Sequence, residues 1–223
     1  MTEYIKQKIA RDDFEFGSIP SDTFLRNEHG VYVSRTKLVD PLIGCAEYPA
    51  FGGVDGISDQ VQINMALEKW GYCNLLKNTE YIIDGAILLN DNQIFVGFDN
   101  SSVLKAKTGF TGKIINTYDS TNGNSNILLK NFKINGNDQN CDLIYLEGTA
   151  NSNIDLLNIT VDYADKYGIY IENIDRCNLL NCISTRCLGI LLLSASNYNI
   201  MSCYDDNVGV LNTGVTDPTI IWF

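Results

Sequence analysis

SNIDLLNITVDYADKYGIYI, residues 152–171, decides the fold because its pattern recurs on both sides. SNILLKNFKING precedes it at 125–136, CNLLNCISTRCLGILLL follows at 177–193, and YNIMSCYDDNVGVLNT stands at 198–213. Each segment opens with an Asn followed by an aliphatic residue. A second polar mark falls at Asn131, Asn158, Asn181 and Ser202, at spacings of 27, 23 and 21. After each of these stands a residue suited to a core: Phe132, Ile159, Cys182 and Cys203. A third mark, Gly plus an aliphatic strand, begins at Gly168, Gly189 and Gly209, spaced 21 and 20.

Strands this short, separated by Asn, Asp and Gly at such a period, do not suit a helical repeat; they suit one coil of a parallel β-helix. Coils stack at about 4.8 Å, so equivalent residues form columns along the axis. Asn131, Asn158 and Asn181 are expected to form an internal ladder at a turn, each amide donating to the next carboxamide oxygen. Cys182 and Cys203 are expected to stack inside as small core fillers.

Composition agrees with this reading. Of 25 Asn, 18 fall from Asn116 onward, a bias that suits turns better than helices. No apolar run approaches the roughly 18 residues of a spanning helix, so membrane insertion is not expected. The net charge of −11 opposes binding to a phosphate backbone, which excludes nucleic acid as a partner. Seven cysteines without a CxxC pair, and a single histidine, His29, give no metal or cofactor motif. Gly52, Gly53 and Gly85 belong to no phosphate-loop pattern. The first residues lack the apolar core of a signal peptide, so free thiols in a cytosolic product are expected.

Upstream, FGGVDGISDQVQINMALEKW at 51–70 places Asp59 to cap a helix whose apolar face is Val61, Ile63, Ala66, Leu67 and Trp70. Short strands follow through 72–106, with turns at 77–79, 84–85 and 90–92. This order, with YIIDGAILLNDNQIFVG at 81–97, resembles the opening of the pectate lyase superfamily over about residues 48–212. The resemblance implies an all-β, right-handed, single-stranded parallel β-helix whose first coil is closed by the N-terminal capping helix. Domain 48–223 is then the β-helix. Residues 1–47 match nothing in the repeat and form an N-terminal arm, which either attaches to another protein or adds a strand to the same domain.

A stacked surface suits a linear polymer such as polysaccharide, because identical coils present identical spacing. Three residues before each repeat glycine stand Asp165, Arg186 and Asp206, expected to share one column. Asp165 and Asp206 would then lie two coils apart, roughly 9 to 10 Å, near the roughly 6.5 to 9.5 Å of an inverting glycosidase pair. Arg186 between them would hold a uronate carboxylate. The plainer alternative is an exposed charge ladder contributing about 0 to 1 kcal/mol per pair. Asp205 adds a carboxylate, and Tyr167, Tyr170 and Tyr204 are candidates to stack on sugar faces, although core or rim packing explains such tyrosines equally well. The Asp205-Asp206 pair is similar to that of polygalacturonases in the resembled group, but the His and Arg-Lys partners are missing. Asp162 is a further carboxylate, yet no set matches the calcium site of pectate lyases.

Proteins of the resembled group include bacteriophage tail spikes and appendages, which implies a virion protein recognising a host polysaccharide. It would be a homotrimer, joined to other tail proteins through its arm and made in the host cytoplasm. The alternatives are a polysaccharide hydrolase or lyase and a purely structural tail adaptor. Against the enzyme stand the small number of coils and the ending TDPTIIWF, which offers no recognisable cap for the last coil and leaves a sheet edge for a partner or a further segment.

Overall fold

The structure, a computed structural model, describes residues 24–26, 32–34, 44–48, 51–52, 54–206, 210–213 and 220–221. The expectations placed on His29, Gly53 and Gly209 lie outside the described residues. The chain divides into two compact units, Met1–Ile43 and Gly44–Phe223. In the first, Phe24–Arg26 pairs antiparallel with Tyr32–Ser34. Residues 44–47, assigned to the arm on sequence grounds, fall in the second unit, where Asn74 donates its N–H to Gly44 O and Cys45 bridges Asn74.

The second unit is a parallel β-solenoid of about 6 turns, each contributing a strand to three faces. The first face stacks Tyr72–Asn74, Ile94–Val96, the first half of Ser125–Gln139, the first half of Asn151–Ala164, Ile174–Leu180 and Ser196–Met201. The second stacks Thr79–Ile83, Ser102–Ala106, the second halves of the two long strands, Ile183–Thr185 and Tyr204–Asp205. The third runs Ile87–Leu89, Gly112–Thr117, Cys141–Leu146, Ile169–Glu172, Ile190–Leu193 and Val210–Thr213, with Ile220–Ile221 antiparallel at its edge.

Alternation in each strand sends one set of side chains inward, and register turns each set into a column. Ile87, Ile115, Ile144, Ile169 and Ile190 form one, every member at most 1% exposed. Phe95, Leu129, Leu156 and Leu179 form another. Phe132 packs its ring 5.0 Å from Phe95 and starts the corner column that continues through Ile159. Cys182 and Cys203 extend that column, both buried, their thiols donating to Leu156 O and Leu179 O at 3.3 Å each. All seven cysteines are buried, and none is in a disulfide.

The corner between the first and second faces is made by left-handed residues: Asn131, Asn158, Asn181 and Ser202, with φ of 59°, 54°, 54° and 53°. Asn tolerates this conformation because its short polar side chain bonds locally. Asn158 Nδ2 donates to Asn131 Oδ1 and Asn181 Nδ2 to Asn158 Oδ1, both at 2.9 Å. The ladder therefore forms, but on the outside, with Asn158 and Asn181 exposed. The left-handed turn points the carboxamide at solvent and hands the interior to the next residue. The opening Asn-aliphatic mark is corrected in the later coils: Asn126 and Asn153 are in register, whereas Asn178 stands opposite Asp155 and Asn199.

The helix Gln60–Trp70 closes the first coil through its side chains. Ile63, Ala66 and Leu67 are buried, while Val61 is exposed, because it lies two positions from Ile63 and so off that stripe. Asp59 occupies the N-cap position but makes no side-chain cap bond. Its fully buried carboxylate instead accepts from Asp55 and Gly56 N–H at 3.0 Å and from Ile82 N–H at 2.7 Å. Gln60 accepts from Asp84 N–H, and Asn64 accepts from Leu88 N–H while donating to Ala86 O at 2.9 Å. The helix thus supplies polar side chains where a further strand would have supplied peptide groups, and the exposed edge of the first coil is satisfied. Tyr48, Phe51 and Trp70 pack edge-on or tilted at 5.1 to 5.3 Å beneath it.

Candidate glycan-binding surfaces

The expected column Asp165, Arg186, Asp206 does not form. Asp162 is opposite Thr185, and Ser184 is opposite Asp205, which places Asp206 at the level of Thr185. Seven positions separate Asp162 from Ile169 but five separate Thr185 from its counterpart Ile190, so the corner before Gly168 holds two extra residues. Counting back from the glycines therefore loses register. Arg186 instead follows the paired strand by one residue, as Tyr163 does one coil earlier; both are left-handed, at φ 53° and 57°. The Arg186 guanidinium lies 4.4 Å over the Tyr163 ring, and the backbone N–H of Arg186 donates to Asp206 Oδ1 at 2.9 Å. Asp165 is exposed and donates its N–H to Gln139 O. Among the described residues no ion pair joins Arg186 to either aspartate.

Asp205 takes a position in the column of Val161 and Ser184, both buried, and so faces the interior of the last described coil. Tyr204 is 51% exposed and stands beside Ile183 on the outer second face. Tyr170 is only 8% exposed: its ring is stacked on Tyr145 at 4.2 Å, Tyr167 lies against it at 5.3 Å, and its hydroxyl donates to Glu172. Lys113 covers the Tyr145 ring at 3.9 Å while pairing with Glu147 at 2.5 Å. These ring faces are occupied by protein, which leaves Tyr170 as packing on the third face. Beneath it, burial pushes the Asp142 carboxyl up, against the Tyr167 N–H it accepts and nearby Lys166.

A site that the sequence reading missed lies at the corner between the third and first faces. Asn90, Asp91 and residues 118–124 line an open cleft of about 580 Å³, within the size range of small-ligand sites. The stretch YDSTNGN makes it, because Asp, Ser, Asn and Gly favour turns, and the corner of the next coil stacks on it, with Thr149 and Ala150 donating their N–H groups to Thr121 O and Asn122 O. Asp119 holds the loop: its Oδ1 accepts from Thr121 and Asn122 N–H, and its Oδ2 from Asn122 Nδ2 at 2.7 Å. The Asn122 N–H foremost keeps that carboxyl below the usual range. Asp91 accepts Ser125 N–H at 2.7 Å. Tyr118 is 65% exposed, and Asn124, at 4%, has a buried carboxamide oxygen without a hydrogen-bond partner. The signal available in sequence was an aromatic next to a turn-forming run that breaks the coil pattern. Among the described residues no group of His, Cys, Asp and Glu is placed to hold a metal ion. No helix there is long and apolar enough to cross a membrane.

No family model matches the chain, and no curated protein matches it. Solved structures do. ORF18 of Geobacillus virus E2 aligns over 86% of this chain and 45% of its own, with a TM-score of 0.57 and 17% identity. The N-terminal fragment of gene product 12 of bacteriophage Phi29 aligns over 77% of this chain and 44% of its own, with a TM-score of 0.53 and 14% identity. The chain spans less than half the length of either structure, and at these identities the likeness is one of fold.

Proposed function

We propose that this chain is a bacteriophage tail appendage component that recognises a host cell-surface polysaccharide and binds it without cleaving it. The observation that carries the reading is the cleft at Asn90, Asp91 and residues 118–124, an open site with an exposed aromatic ring and polar side chains on a solenoid. The viral origin of both structural neighbours supports the tail setting and a virion location. The net charge of −11 supports a glycan rather than nucleic acid. Membership of the pectate lyase superfamily, a homotrimeric state and attachment to other tail proteins through the first 47 residues belong to the same proposal, supported by the resemblance of residues 51–70 and 81–97. Binding to an array of bacterial surface polysaccharides tests it, with product analysis of each bound polymer. Binding without shortening is the expected result. Depolymerisation lost in Asp165→Asn and Asp206→Asn would replace recognition by the enzyme reading, and absence of any binding would favour a structural adaptor.

A further inference from the structure

We infer that the outward side of the first face is the surface through which copies of this chain associate, with their solenoid axes parallel; the inference rests on the homo-oligomeric part of the reading above. Alternation fixes what that side presents. Phe95, Leu129, Leu156 and Leu179 are buried inside, so the residues flanking them in each strand point out. One outward column runs Val96, Lys130, Leu157, Leu180 and Met201, and its neighbour runs Ile94, Leu128, Asp155, Asn178 and Asn199. The apolar members of both columns all reach solvent, with Ile94 44% and Met201 56% exposed. Two asparagine ladders border the columns: Asn92, Asn126 and Asn153 on one side, Asn131, Asn158 and Asn181 on the other. An apolar centre inside a polar rim is the anatomy of an association surface. The other two faces differ. The second carries outward ion pairs, Lys105 with Glu80 and Lys133 with Asp162, and on the third Lys113 pairs with Glu147 over a stacked ring.

Charge, hydrogen bonding and spacing together select a second copy as the occupant. Chains with a net charge of −11 repel one another, and that repulsion is least where the meeting surfaces carry no net charge. Of the strand residues between the ladders only Lys130 and Asp155 are charged, with opposite signs, and Asp155 accepts from Asn178 Nδ2 at 2.7 Å. Each carboxamide of the rim both donates and accepts, so the rim complements a copy of itself. The columns repeat at the coil spacing of about 4.8 Å, and a copy laid alongside with its axis parallel presents its side chains at the same interval. Six strands, and the five residue steps that separate the two ladders, span roughly 29 by 17 Å. That is about 490 Å² before side-chain relief, approaching the roughly 600 to 1,000 Å² that each partner buries in a standard interface.

The test measures the mass of the full chain by sedimentation velocity over a range of concentrations. Leu157→Lys and Met201→Lys alter the first face, and Leu191→Lys alters the outward side of the third. Circular dichroism and urea midpoints check that each variant is folded, and Met201, already exposed, tolerates a lysine without disturbing the core. The wild type is expected to sediment as three units of 24.8 kDa. Each first-face variant is expected to weaken association about thirtyfold or more, while Leu191→Lys leaves it unchanged. A dimer lost in the first-face variants replaces the trimer and supports the inference. An oligomer that survives both first-face substitutions, or is lost only in Leu191→Lys, overturns the inference and leaves the homo-oligomeric reading intact. A single unit at every concentration removes both. If that monomer captures a polymer on the polysaccharide array and the first-face variants do not, the surface belongs to the glycan, and the inference is likewise overturned.

Discussion

A single asparagine shows how conformation and hydrogen bonding combine in this chain. Asn158 holds a left-handed backbone, donates to Asn131 and accepts from Asn181. Asn158→Ala is expected to lose about 1 to 2 kcal/mol from the backbone alone, whereas Asn158→Gly keeps the turn and loses only the exposed ladder bonds. Urea denaturation midpoints of the two variants separate these contributions, and equal losses would show that the conformation is not what matters. Asp142 supplies a pH signature. Its folded pKa is raised by burial, so the native state keeps the proton to higher pH than the unfolded chain, whose carboxyl titrates near about 3.9. Its contribution is therefore fully present below that value and is lost as pH rises through the folded pKa. Asp142→Asn retains an acceptor for Tyr167 N–H and is expected to flatten this part of the stability profile, measured as denaturation midpoints at stepped pH.

At the scale of the element, the capping helix and its N-cap satisfy backbone groups of the first coil that no strand covers. Asp59 alone accepts three N–H groups, two in the preceding turn and one in Thr79–Ile83. Asp59→Ala leaves those donors buried or half-buried without a partner, and about 3 kcal/mol of destabilisation is expected. Asp59→Asn, which keeps one acceptor oxygen, should lose less. Amide exchange at Ile82 is the specific readout: it should accelerate in Asp59→Ala well beyond the average of the other solenoid amides. A helix held only by its apolar face would show no such local change. Close backbone approach constrains the strands similarly. A Cβ on Gly136 would sit 2.3 Å from Tyr163 O of the coil above, so this glycine is a packing requirement of the bend, not a turn marker.

Across the whole molecule the solenoid is one-dimensional, each coil bonded to its two neighbours, so stability accumulates along the stack and every column has a bottom and a top. The bottom is closed by Asp59, Gln60 and Asn64. Toward the other end the interior changes character: the second-face column runs Tyr81, Leu104, Ile134, Val161, then Ser184 and Asp205. The outer surface there carries Ile183, Met201 and Tyr204, between 37% and 56% exposed. On the third face the outward rings of Tyr145, Tyr167 and Tyr170 pack against one another, whereas Tyr118 of the YDSTNGN turn is 65% exposed.

Most of the fold was legible in the residues because period and composition act locally. Gly or Asn at each corner, with an aliphatic alternation between, admits few other windings, and Asn131, Asn158 and Asn181 stand in register as their spacing requires. The capping helix was equally visible through Ile63, Ala66 and Leu67. What the order of residues did not determine was the length of each corner. Two extra residues before Gly168 move Asp165 away from the level of Arg186, and no propensity of single residues reports that offset. Nor could it show that Asp59 bonds a strand 23 positions away, or that Tyr170 is sealed under Tyr145 while Tyr118 stands free. These depend on which coil lies above which, and that relation exists only once backbone hydrogen bonds between coils have set the register.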